Sequence, residues 1–200
     1  MIAALALSVA LTASPVTSGY GWAAGGGVTH LDDKRWWVAF YDSYSRTQGT
    51  KYATLAAAEL EKHTGLPVRV TPDLFPSTAS CPARTAAGSH RIVIRIDPAT
   101  TRASASRCTL AGAAWGSKVM ISKTAWLNTK RAGSNETYRR NVMSHEMGHA
   151  MGLGHPKLEY LPLTDPLMSG NHWGGYATPT TGHKFTPYDV RGLKQLVLNR

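Results

Sequence analysis

The stretch SHEMGHAMGLGHP, residues 144–156, limits what this chain can be more than any other segment. His145 and His149 stand four apart, so on a helix their imidazoles lie one turn apart on one face. Two neutral imidazoles at that spacing can share one zinc ion, each nitrogen about 2.0–2.1 Å from it. Glu146 is rotated about 100° from His145, which keeps it out of the ligand set and turns it toward a metal-activated water. Gly152 is suited to a sharp left-handed turn, and such a turn brings His155 back as a third nitrogen ligand. Three protein ligands leave a tetrahedral ion one open position, the arrangement of catalytic rather than structural zinc. The competing reading is three histidines on an ordinary amphipathic helix. From the chain's own residue frequencies, the five specified positions of HExxHxxGxxH arise by chance at a rate of roughly 10⁻⁵, and the metal site is the better reading.

The rest of the chain reads as an α+β body able to hold that helix. At 200 residues, with 42% hydrophobic and 17% charged, it is long and apolar enough for one packed domain and argues against disorder. Strands are expected at 36–42 (WWVAFYD), 66–70 (LPVRV), 90–97 (HRIVIRID) and 117–122 (SKVMIS), with a Pro-rich stretch over 72–82. In HRIVIRID, arginine alternates with Ile and Val, which predicts one wet and one packed face. TKYATLAAAELEKHTG (50–65) reads as a helix capped by Gly65. The motif helix is expected to start after Gly133, with Ser134 or Asn135 as N-cap, and to run to about Met151. A loop rich in Pro, Gly, Ser and Thr fills 156–184. In TPYDVRGLKQLVLN (186–199), Thr186, Pro187 and Asp189 form a capping-box start, and Val190, Leu193, Leu196 and Val197 share a face.

The first residues, through Ala24, read as a secretory signal or short pro-segment, cleaved after Ala13 or Ala24. Residues 25–35 read as a linker opening with three glycines, and 36–200 as the catalytic body. The apolar run to about Ala13 is too short to span a bilayer, and no later stretch is apolar enough to anchor the chain. Secretion fits the two cysteines, Cys81 and Cys108, 27 positions apart and outside any CxxC or CxH spacing. In an oxidising compartment they are expected to form one disulfide. The net charge of +10 comes from dispersed Lys and Arg, with no run longer than a pair such as Arg139-Arg140. It serves solubility and gives no nucleic-acid footprint.

The motif resembles the zinc signature of the metzincin metallopeptidases, HExxHxxGxxH, with His145, Glu146, His149, Gly152 and His155 in its places. DPLMSG (165–170) is similar to the family's methionine-bearing turn, putting Met168 thirteen residues after His155. The resemblance implies a zincin domain: a twisted, mostly parallel sheet with an active-site helix and a C-terminal helix. It also implies a sheet edge that binds extended substrate, for which HRIVIRID or the segment after it is the candidate. The branch stays open between two alternatives. Pro156 and Met168-Ser169 resemble the serralysins. Gly170, where those enzymes carry tyrosine, and the lack of calcium-binding repeats point to the matrixins. Both cysteines lie inside the body, so no cysteine switch is expected. His172, Tyr176 and Tyr160 lie near the motif in sequence and read as loop or wall residues.

The expected activity is that of a secreted, monomeric zinc endopeptidase acting on protein or peptide substrates. His145, His149 and His155 are the expected metal ligands, and Glu146 is the general base and acid. Two alternatives remain: a zinc hydrolase of cell-wall peptides, amidase-like, or a non-catalytic zinc-bearing module on an anionic surface. Calcium is left undecided, since the acidic residues form no recognisable binding loop.

Overall fold

The long helix α1 (Ser43–Thr64) starts where Asp42, in extended conformation, accepts the Ser45 N–H at 2.7 Å. It ends where Gly65 turns left-handed (φ 70°) and donates its N–H to the Glu61 carbonyl. The helix expected over 50–65 therefore extends seven residues further toward the N-terminus. Its first turns, SYSRTQG, are poor helix formers, and the cap together with packing overrides that weakness. Ala53, Ala56, Ala57 and Leu60 form a narrow buried stripe that lets α1 approach the sheet closely.

These positions come from a computed structural model, which describes residues 22–24, 28–79, 81–82, 88–127, 135–156, 167–169 and 184–199. The remaining elements in chain order are β1 (Trp22–Ala24), β2 (Trp36–Phe40), β3 (Val68–Leu74), β4 (His90–Asp97), β5 (Ser104–Leu110) and β6 (Ala113–Ser122). They continue with α2 (Lys123–Leu127), α3 (Asn135–Ala150), β7 (Leu153–Pro156), a 3₁₀ turn (Leu167–Ser169) and α4 (Pro187–Leu198). The architecture is α+β. Its main sheet has five strands in the order β3-β2-β4-β6-β5, parallel throughout except for the β5–β6 pair. One face of that sheet, carrying Trp36, Val38, Phe40, Ile92, Ile94, Ile96, Val119 and Ile121, is buried with residues of α1 and α3. Such near-continuous apolar burial is what a parallel sheet covered by helices requires.

Several differences from the sequence expectations have physical causes. Strand β3 runs through Pro72 to Leu74. This is tolerated because β3 is an edge strand, paired only to β2. HRIVIRID lies in the sheet interior between β2 and β6, so it is not an edge. The segment after it, β5, is the edge, joined to β6 through Ala111 (φ 49°) and Gly112 (φ 83°), two positive-φ residues suited to a tight hairpin. The second face of β4 is not simply wet: Arg91 lies 4.1 Å over the Phe75 ring and Arg95 4.2 Å over Tyr41. Within the expected linker, Val28 and Leu31 are fully buried, and the Leu31 N–H donates to the Leu196 carbonyl of α4. The sulfurs of Cys81 and Cys108 form the expected disulfide. Among the described residues, no helix is long and apolar enough to cross a membrane.

Candidate metal centre

Helix α3 ends at Ala150, one residue short of the expected end, and its C-terminal half carries His145, Glu146 and His149. Its exit is set by a glycine. Gly152 has φ 106°, and its N–H donates to the His149 carbonyl at 2.9 Å. A Cβ there would stand 2.6 Å from Val28 Cγ1, so both backbone and packing demand glycine. The chain then reverses into β7, which carries His155 and pairs antiparallel with β1. Gly148, between the two helical histidines, faces the methionine turn: a Cβ there would lie 2.7 Å from Met168 Sδ and 3.0 Å from Phe185 Cε1. Glycine at this position lets the fully buried Met168 pack directly on the helix.

The three expected ligands come together. His155 Nε2 lies 2.9 Å from His149 Nε2 and 3.3 Å from His145 Nε2. The other ring nitrogens of the helical pair are tied to backbone carbonyls: His145 Nδ1 to Leu167 O at 2.8 Å, and His149 Nδ1 to Leu153 O at 2.7 Å. A carbonyl can only accept, so each Nδ1 carries the hydrogen and each neutral ring presents a bare Nε2 lone pair toward the centre. One proton on His155 Nε2 could bridge to only one of these acceptors, whereas a cation at the centre satisfies all three. Two nitrogens about 2.05 Å from one ion at the tetrahedral angle sit about 3.3 Å apart. The observed spacing and donor set therefore fit a zinc ion.

Electrostatics keep the two helical histidines in the form that can bind a metal. Burial, with Leu167 O opposing it and His155 reinforcing it, holds the His145 ring down to about 4. Burial and the neighbouring His145 hold His149 down to about 2. Both rings are neutral at neutral pH, as metal ligation requires. Glu146 is buried beside them at 1% exposure.

The support beneath His145 comes from α4. The Asp189 carboxylate, fully buried, accepts the N–H groups of Leu167 (3.0 Å) and Met168 (3.2 Å) as well as the Thr186 N–H (2.7 Å) and hydroxyl. Burial pushes Asp189 up to about 6, against the lowering effect of these hydrogen bonds, first that from the Thr186 side chain. The sequence identified Asp189 as a helix cap, and the structure adds its hold on the turn whose Leu167 carbonyl orients His145. Arg107 of β5 was not foreseen at all. Its guanidinium donates to the carbonyls of His149 and Leu153, both at 3.1 Å. Ser134, Tyr160, Gly170, His172 and Tyr176 lie outside the described residues. No protein-family model matches the chain, and a search of curated proteins found no significant match.

Proposed function

We propose that this protein is a secreted, zinc-dependent endopeptidase with a metzincin-like catalytic domain. The observation that carries the reading is the convergence of three histidine Nε2 atoms with a buried glutamate on the same helix turn. His145, His149 and His155 would hold the ion, leaving one position open. When bound, zinc supplies Lewis acidity that polarises the scissile carbonyl and lowers the pKa of water toward 7. Glu146 takes the proton from the attacking water and delivers one to the departing amine. Its burial places that carboxylate in a low-dielectric site, where its hydrogen bonding to the reacting water is stronger than in bulk solvent. Leu167 O and Leu153 O fix the tautomers of His145 and His149, so the ligand geometry is set before substrate arrives.

The test pairs metal analysis of the purified protein with cleavage of casein and a peptide library, with and without a chelator. We expect close to one zinc per chain and chelator-sensitive endoproteolysis. In Glu146→Gln, zinc is retained while turnover falls by roughly 10²–10⁴-fold. Near-normal turnover in that variant, with zinc verified, would overturn the role of Glu146. Zinc binding without cleavage of any internal peptide bond would leave a non-catalytic module, and cleavage confined to cell-wall peptides would make the enzyme amidase-like.

A further inference from the structure

Edge strand β5 reaches the metal centre through one side chain. Arg107 is half-buried on a strand whose next residue, Cys108, is buried in the disulfide with Cys81. Successive strand residues point to opposite faces, so the disulfide secures one side of β5 while Arg107 reaches across the other to α3. One guanidinium nitrogen, Nη1, donates to two carbonyl oxygens, His149 O and Leu153 O. These two atoms are central to the second ligand. His149 O also accepts the Gly152 N–H that closes the helix, and Leu153 O accepts the His149 Nδ1 hydrogen. Arg107 therefore fastens the exit of α3 to the start of β7, the two segments that carry all three histidines.

We propose that Arg107 is a positioning residue of the metal centre: by bridging the His149 and Leu153 carbonyls, it holds the second ligand's hydrogen-bond acceptor and the ligand turn in metal-binding geometry. A charge-assisted hydrogen bond from a guanidinium suits this task because the group stays charged at any working pH. The His149 carbonyl, in the last turn of α3, also carries partial negative charge that a cation complements. The position requires a long cationic donor, not merely a basic surface residue.

The inference rests on the reading of His145, His149 and His155 as metal ligands, and the experiment separates the two. Zinc affinity of the full chain is measured by competition with a chromogenic chelator for wild type, Arg107→Gln, Arg107→Lys and the exposed control Arg102→Gln. The melting temperature of each metal-free protein is recorded in parallel. Loss of an outer partner of a metal ligand typically costs 10–100-fold in affinity. We expect Arg107→Gln to bind zinc about 10–100-fold more weakly, Arg107→Lys to recover part of that loss, and Arg102→Gln to match wild type. Wild-type zinc affinity in Arg107→Gln overturns the proposal. So does a lysine variant no better than glutamine with metal-free melting lowered to match, which would make Arg107 merely structural. If Arg107→Gln fails to fold, Arg107→Met takes its place: a weakened zinc affinity with unchanged metal-free melting supports the role, and an unchanged affinity removes it. Absence of zinc binding in wild type itself would defeat the metal-site reading instead.

Discussion

At the scale of single residues, Gly152 shows how one position can serve backbone and packing together. With φ 106° and Val28 Cγ1 only 2.6 Å from a would-be Cβ, it admits no side chain without moving the buried N-terminal segment. Gly152→Val should therefore destabilise the fold by at least the 1–3 kcal/mol typical of strained or overpacked sites. It should also weaken zinc binding, because the displaced turn carries His155. Chemical denaturation and chelator competition read the two effects separately, and a variant with wild-type zinc affinity would show that the turn tolerates a side chain. Gly148 is a milder case: its neighbour at 2.7 Å is the flexible tip of Met168, which can shift. The sequence pointed to Gly152 through its place between the second and third histidines. The role of Gly148 came into view only with Met168 packed against it.

At the scale of elements, the C-terminal helix supports the site without contributing a ligand. Asp189 caps α4 locally and, in the same carboxylate, gathers the backbone of the 3₁₀ turn 22 residues upstream. That turn presents Leu167 O to His145. In Asp189→Asn, one acceptor oxygen becomes an NH₂ group facing N–H donors, so at least one buried donor loses its partner. Such a loss costs about 1–3 kcal/mol. We expect urea denaturation to show a decrease of that size, with zinc bound more weakly than in wild type. Unchanged stability would mean that the donors find other acceptors and that the turn does not depend on α4. The capping box was legible because its residues are neighbours in sequence. The longer connection was not, since it depends on how α4 docks.

For the whole molecule, the metal-free protein should be sensitive to acid. The folded-state values of His145 and His149 lie near 4 and 2, below the ordinary histidine value of 6.5. A lowered histidine value means that the unfolded chain binds more protons below pH 6.5, so stability is present above that pH and is lost as pH falls toward 4. Asp189 works in the opposite sense. Raised from 3.8 to about 6, it contributes stability at low pH that is lost as pH rises through 6. Two groups oppose one, so the melting temperature of the metal-free protein should drop between pH 7 and 4, and more steeply in Asp189→Asn. A flat profile in both proteins would contradict these shifts. The disulfide acts at the same scale. It closes a 27-residue span onto the edge strand that carries Arg107, and the loop-entropy model assigns it roughly 3–4 kcal/mol. Replacing Cys81 and Cys108 together by serine should lower stability by about that amount, read by denaturation under non-reducing conditions.

The sequence by itself determined the three-histidine cluster, the turn glycine, the cap of the last helix, the disulfide pair and most of the parallel strands. Each of these depends on spacing within one element or on residue chemistry: a helix places positions four apart on one face, and an apolar β-branched run packs as a strand. Only the tertiary structure decided the rest. Strand β5, SASRCTL, has too little apolar content to announce itself, and it exists because β6 offers it a hydrogen-bonding edge. The burial of Val28 and Leu31 depends on the positions of α4 and the β5–β6 hairpin. Arg107 meets His149 across 42 residues of sequence. Contacts of that kind are set by strand order and register, which bring together segments whose local sequences carry no mark of one another.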